Sequence, residues 1–135
     1  TIARAANPNL TVALDLTAEW DKVAPAGSLV QGCVVVRKAF ADEHPNEVKA
    51  FLTEYQASIE YLTAEPDQAG QMIEDAGIFA KAAVAAKAIP NCNVCFVSGA
   101  DMQAALTEFL TALSTVAPQS IGGSVPGDDF YCVLK

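Results

Sequence analysis

Two stretches in the first third of the chain carry the hydrophobic pattern of β-strands. Residues 10–16 alternate between apolar and polar positions, and residues 29–37 hold a nearly continuous apolar run that ends in Val34, Val35 and Val36. Alternation is typical of a half-buried strand, whereas a continuous run is typical of a strand covered on both faces in a parallel sheet. The pattern therefore predicts two strands, of which the second is buried.

Helical spacing of apolar residues follows over most of the remaining chain. Pro45 and Pro66 suit the first turn of a helix, where the missing N–H of proline costs nothing. Gly77 and the Gly/Pro/Ser-rich tail at 118–126 favour helix ends and irregular structure. The predicted helices span residues 1–6, 17–23 with Thr17 as N-cap, 45–64, 66–73, 81–88, and a last stretch that begins near Ser98 or Asp101 and ends near Val116.

This order of elements predicts an α/β fold that is rich in helix and poor in strands. A chain of 135 residues suits one domain. Two strands, however, form a sheet too small to cover that much helix. We therefore expect residues 1–135 to be an incomplete lobe, either part of a longer protein or a chain that assembles with another.

The charge balance restricts the partners. The chain has 8 basic and 16 acidic residues, a net charge of −8, and its basic residues are scattered. Such a surface repels phosphate backbones, so we expect no nucleic-acid partner. No apolar run approaches the length that spans a membrane.

The cysteines offer the most suggestive chemical motif, Cys92-x-x-Cys95. A redox pair of this spacing needs a helix N-terminus after its first cysteine, but the residues that follow favour extended backbone. A zinc site would need a second matching pair, and Cys33 and Cys132 are isolated. His44 has no nucleophile at a recognisable spacing, and no glycine-rich phosphate loop exists. We therefore predict no catalytic residue, metal site or cofactor, and a thiol oxidoreductase using Cys92 and Cys95 stays an alternative.

A resemblance to a known family rests on several segments in a fixed order. These are QGCVVVRKAFADEHPNEVKAFL at 31–52, YQASIEY at 55–61, EPDQA at 65–69, AIPNCN at 88–93 and SIGGSVPGDDFY at 120–131. Together they resemble the solute-binding proteins of ABC importers, in the group that binds pyrimidine thiamine precursors, alkanesulfonates, taurine or nitrate. Cys95 departs from this pattern, which has an apolar residue there, and leaves open an extra disulfide between Cys92 and Cys95.

The resemblance implies a fold, a role and a location. The fold is a partial lobe of a periplasmic-binding-protein-like (type 2) architecture, in which the chain is the C-terminal portion and supplies a crossover strand and the C-terminal helices. The role is capture of a small solute and its delivery to an ABC permease, without enzymatic activity or cofactor. The location is extracytoplasmic, as a membrane-anchored lipoprotein or a periplasmic protein.

By position, the resemblance suggests two pairs of ligand-contacting residues. Gln31 and Gly32 lie at the start of the predicted crossover strand, and Asn91 and Asn93 lie in a loop. Besides transport and thiol chemistry, the unpaired strand leaves a third function open, a helical interaction module that self-associates through that strand.

Overall fold

A computed structural model describes residues 2–133, which are rich in helix and contain no β-strand. The α-helices are α1 (Ile2–Ala6), α2 (Leu16–Trp20), α3 (Lys38–Glu43), α4 (Pro45–Ala64), α5 (Pro66–Asp75), α6 (Ala82–Ala88) and α7 (Gly99–Val116). Short 3-10 helices span Ile89–Asn91, Pro118–Ile121 and Asp128–Phe130.

The predicted α/β class, and with it the partial lobe of a periplasmic-binding-protein-like fold, is wrong. That lobe requires a β-sheet, whereas the described residues are of the mostly α class. Residues 29–37, the valine segment, have no regular secondary structure, and the predicted strand at 10–16 runs into α2. Valine favours strands only where neighbouring strands cover its side chain and pair with its backbone. No such neighbour exists within residues 2–133.

The proline-started helices agree closely with the prediction. α4 begins at Pro45 and ends at Ala64, and α5 begins at Pro66. The sequence did not predict α3, which is separated from α4 by His44 with φ −131° and ψ 53°. A residue before proline avoids helical dihedral angles, so the two helices cannot merge into one.

The described residues divide into two compact units. Unit 1 comprises residues 2–12 and 46–96, and unit 2 comprises residues 13–45 and 97–133. The chain therefore passes between the units three times, and each unit is built from segments that are distant in sequence.

Unit 1 is held together by close packing of small residues. An ideal Cβ on Gly70 would lie 2.6 Å from the carbonyl oxygen of Ala82 and 3.0 Å from the Cβ of Ala86. Helices approach so closely only where a side chain is missing. The Glu74 carboxylate accepts a hydrogen bond from the backbone nitrogen of Ala82 at 2.7 Å. This N–H is one of those that the first turn of α6 leaves without a helical partner.

Unit 2 is held together by aromatic and polar contacts. The Trp20 ring lies 5.6 Å from that of Phe109 on α7, and the Trp20 Nε1 donates to the buried Ser28 Oγ at 2.8 Å. The Ser28 hydroxyl in turn donates to the Pro25 carbonyl at 2.6 Å. Farther along α7, the Thr107 hydroxyl lies 3.0 Å from the buried Tyr131 hydroxyl.

The beginning of α2 corrects one predicted cap. Asp15, and not Thr17, is the N-cap residue, and its carboxylate accepts hydrogen bonds from the backbone nitrogens of Thr17 and Ala18 at 3.0 and 3.2 Å. Aspartate is among the strongest N-cap residues because its side chain bonds the free N–H groups of the first turn.

Candidate functional site

The valine segment presents backbone and side chains to solvent. Val34, Val35 and Val36 are 50%, 79% and 39% exposed. The segment's backbone hydrogen bonds lie at its two ends, from the Val30 nitrogen to the Ser28 carbonyl and from the Ala41 nitrogen to the Arg37 carbonyl. Between these, no backbone N–H of residues 31–36 donates a hydrogen bond to the described part of the chain. Six consecutive donors are therefore available to another molecule.

Gln31 and Gly32 lie within this segment and are both exposed. The Gln31 side-chain amide makes no hydrogen bond to residues 2–133, and a Cβ added to Gly32 would meet no atom within 4 Å. Both positions are accessible to a solute, but no walls enclose them.

Asn91 and Asn93 belong to unit 1, whereas Gln31 and Gly32 belong to unit 2. The Asn91 Nδ2 donates to the Lys87 carbonyl at 3.2 Å, so local structure already uses one of its donors. Asn93 has a positive φ of 50°, a left-handed conformation that asparagine tolerates better than most residues. The structure thus gives Asn91 and Asn93 a local role in ending the 3-10 helix Ile89–Asn91, and the predicted ligand contact stays a prediction.

The cysteines are free thiols. Cys33, Cys92 and Cys95 are exposed, and Cys132 is partly buried. The Cys92 thiol follows the 3-10 helix Ile89–Asn91 and donates to the Ala88 carbonyl at 3.2 Å. The next helix, α7, begins only at Gly99, so no helix N-terminus follows Cys92 as a redox pair would need. The disulfide between Cys92 and Cys95 stays a prediction.

Unit 2 also carries an open depression of about 390 Å³ that the sequence did not predict. Its lining combines the turn before the valine segment, Val97 and one face of α7: Pro25, Ala26, Gly27, Ser28, Val97, Asp101, Ala104, Ala105 and Glu108. No basic residue lines it, and its two carboxylates could accept hydrogen bonds from hydroxyl or ammonium groups. The seven-residue spacing of Asp101 and Glu108, two helical turns, was the available signal in the sequence.

An aromatic group lies on the surface of unit 1. Phe51 and Tyr55, one turn apart on α4, stack at 5.6 Å with 11° between their planes, and Phe96 meets Tyr55 edge-on at 6.2 Å. Phe51 is 50% exposed and Tyr55 37%. The helical spacing of these residues indicated a buried face, but the structure leaves part of that face open.

The described residues hold neither a metal cluster nor a helix suited to a membrane. Residues 2–133 contain no group of three or more His, Cys, Asp or Glu side chains placed to share a metal ion. Within the same residues, no helix combines the length and the apolar character needed to cross a membrane.

Comparison with known proteins adds no relative. No known family model, curated protein or solved structure matches this chain. The resemblance to solute-binding proteins therefore stays a prediction from the sequence segments quoted above.

Proposed function

We propose that this chain contributes to an extracytoplasmic solute-binding protein that delivers a small molecule to an ABC permease. The observation that carries the proposal is the fixed order of the five segments between residues 31 and 131 that resemble this family. Each segment alone is a common pattern. Their order along one chain of 135 residues is much more specific.

Local structure supports the proposal at two places. The resemblance implies a helix after the valine segment and another that starts with proline, and α4 and α5 begin at Pro45 and Pro66. Gln31 offers an accessible amide that can both donate and accept hydrogen bonds. The proposal concerns the role of the chain alone, since residues 2–133 lack the sheet of the lobe that the resemblance also implied.

Ligand-observed NMR on the full chain tests this role. The probes are a pyrimidine thiamine precursor, an alkanesulfonate and nitrate, each offered separately. Since pockets normally bury most of a ligand and these candidate residues are open, we expect weak binding of one class, with a Kd of about 1 mM. Loss of one hydrogen bond in Gln31→Ala should weaken binding by about tenfold.

The matched control is Gln119→Ala, which removes an exposed amide far along the chain and should leave the affinity unchanged. The transport proposal fails if none of the three classes binds. It also fails if both Gln31→Ala and Asn91→Ala bind as tightly as the unaltered chain.

A second function, self-association of a helical module, is favoured by one specific observation. The valine segment combines exposed β-branched side chains with six unpaired backbone N–H groups. Exposed backbone groups without hydrogen-bond partners are a template for strand pairing. Sedimentation equilibrium across a concentration series should show a reversible dimer, and a monomer at every concentration would exclude this function.

A further inference from the structure

Most of the valine segment lies in an uncharged stretch, residues 23–36. No Asp, Glu, Lys or Arg occurs between Lys22 and Arg37, although the whole chain has a net charge of −8. Two copies of so acidic a chain repel each other over most of their surfaces. Residues 23–36 are a place where two copies can approach without bringing like charges together.

The sequence of the segment also suits antiparallel pairing with the same segment of a second copy. If two copies pair antiparallel with Cys33 opposite Cys33 of the second copy, Val30 lies opposite Val36 and Gly32 opposite Val34. These residues share one face because side chains alternate along a strand. That face is then made only of valine and glycine, and the cross-strand valine pairs stabilise it.

Two neighbouring features select this register. α3 begins at Lys38, so centring the pair on Cys33 uses all nine residues 29–37 without unwinding a helix. The same register places Arg37 opposite Leu29 and keeps the two Arg37 side chains apart. A shift of the centre towards Arg37 shortens the ladder and brings like charges together, which destabilises cross-strand pairs.

We propose that two copies of this chain associate by antiparallel pairing of residues 29–37, with Cys33 on the two-fold axis. This proposal rests on the self-association function above and adds its register. Directly opposite residues in an antiparallel pair have Cα atoms about 4.5–5.5 Å apart, which lies within the span of about 4.4–6.8 Å that a disulfide bridges. The exposed Cys33 thiol is therefore a reporter of the register.

Oxidative cross-linking tests the register. In Cys92→Ser/Cys95→Ser/Cys132→Ser, Cys33 is the only thiol. Two copper(II) phenanthroline complexes then accept one electron each, as two Cys33 thiols lose two protons and form one intermolecular S–S bond. We expect a reducible dimer to form at least about tenfold faster than in Cys33→Ser/Cys92→Ser/Cys132→Ser, whose thiol, Cys95, is equally classed as exposed but lies outside the paired segment.

Cross-linking between two different cysteine variants tests the register independently. In a thiol-free background, chains with Gln31→Cys and chains with Val35→Cys should cross-link to each other faster than either does to itself. Val34→Lys places a charge on the valine face and should abolish both cross-linking and the sedimenting dimer, since lysine on an edge opposes pairing. Val116→Lys, at a position 79% exposed and outside residues 23–36, should preserve both.

The outcomes separate the register from the association. A dimer in sedimentation whose Cys33 cross-links no faster than the exposed Cys95 overturns the register and leaves self-association standing. A monomer in sedimentation with only slow, collisional cross-linking overturns both. Solute binding by the chain is measured separately and does not depend on either result.

Discussion

The two units of this molecule reach compactness by different means. Among residues 2–133, the buried apolar side chains of unit 1 are Val48, Ile59, Ala69, Ala85, Ala86 and Ile89, whereas unit 2 buries Tyr131. Unit 1 relies on the contact of α5 with α6 at Gly70, between elements that are neighbours in sequence. Unit 2 relies on aromatic and hydroxyl contacts between positions as distant as Trp20 and Phe109.

The difference shows what each kind of packing demands of the sequence. Close packing of small residues requires that one position has no side chain, so a larger residue there should lower the stability of the unit. Polar contacts require particular hydrogen-bond donors and acceptors, so the loss of one such atom should lower the stability of the unit. The four predictions below test this contrast, in order of decreasing effect.

The largest effect is expected from adding volume to unit 1. Gly70→Val would push its Cβ and two methyl groups into the backbone of α6 at Ala82, which cannot move aside without separating the helices. We expect the free energy of unfolding to fall by about 3 kcal/mol. Urea denaturation followed by far-UV circular dichroism measures it.

The control is Gln71→Val on the exposed side of the same helix, which should cost less than about 1 kcal/mol. Equal stability of the two variants would show that α5 and α6 are not in close contact.

The second-largest loss of stability is expected when one hydroxyl oxygen is removed from unit 2. Ser28→Ala deletes the acceptor of the Trp20 Nε1 and the donor to the Pro25 carbonyl, at a residue only 3% exposed. A part-buried donor left without a partner should lower the free energy of unfolding by about 2 kcal/mol. Trp20 is the only tryptophan, so its fluorescence during denaturation reports on this unit directly.

Ser120→Ala is the comparison, because its hydroxyl bonds the Ala117 carbonyl on an exposed surface and should contribute little. The role of Ser28 as an anchor for Trp20 would be disproved by equal losses in the two variants.

The helix caps should show a smaller and similar effect in both units. Asp15→Ala and Glu74→Ala each leave N–H groups at the start of a helix without an acceptor, in unit 2 and unit 1 respectively. We expect each to cost about 1 kcal/mol in thermal or urea denaturation. Asp15→Asn and Glu74→Gln keep an acceptor oxygen and should lose less than half as much, and a full loss in these variants would argue against capping.

The smallest effect is expected at a tyrosine hydroxyl. Tyr131→Phe removes the partner of the Thr107 hydroxyl while the ring stays buried, and should cost about 0.5–1 kcal/mol. Tyr61→Phe in unit 1 removes an exposed bond to Gln68 and should cost less. The reverse order of these two losses in urea denaturation would contradict the view that unit 2 depends more on individual polar contacts.

Prediction from sequence succeeded where structure is decided locally. α4 was predicted from Pro45 to Ala64 because a proline in the first turn, helical spacing and a following Glu-Pro pair all concern neighbouring residues. The two strands failed because a strand needs a partner, and valine content alone does not supply one. α3 was missed because a helix of six residues carries too little periodicity to be recognised.

The candidate site could be predicted only in part. Gln31 and Gly32 were predicted at the start of a strand, but they lie in a segment without regular secondary structure, and the hydrophobic pattern did not indicate that this segment would be exposed. The depression beside Asp101 and Glu108 depends on the turn 25–28 meeting α7, more than 70 residues later in the chain. Contacts over such separations leave no trace in local pattern, and the same holds for Trp20 with Phe109.

The open backbone of the valine segment has a consequence for how the chain can be cut. Proteases bind their substrates as extended strands. Residues 31–36, just before Arg37, have no regular secondary structure and donate no backbone hydrogen bond within the described chain, so they can take that form without unwinding a helix. Arg37 is also exposed, so we expect brief trypsin treatment to cleave first after this residue. The cut would divide the covalent chain between α1 and the rest of unit 1, and between α2 and α7 of unit 2. A single cut therefore tests whether noncovalent contacts alone keep the two segments of each unit together.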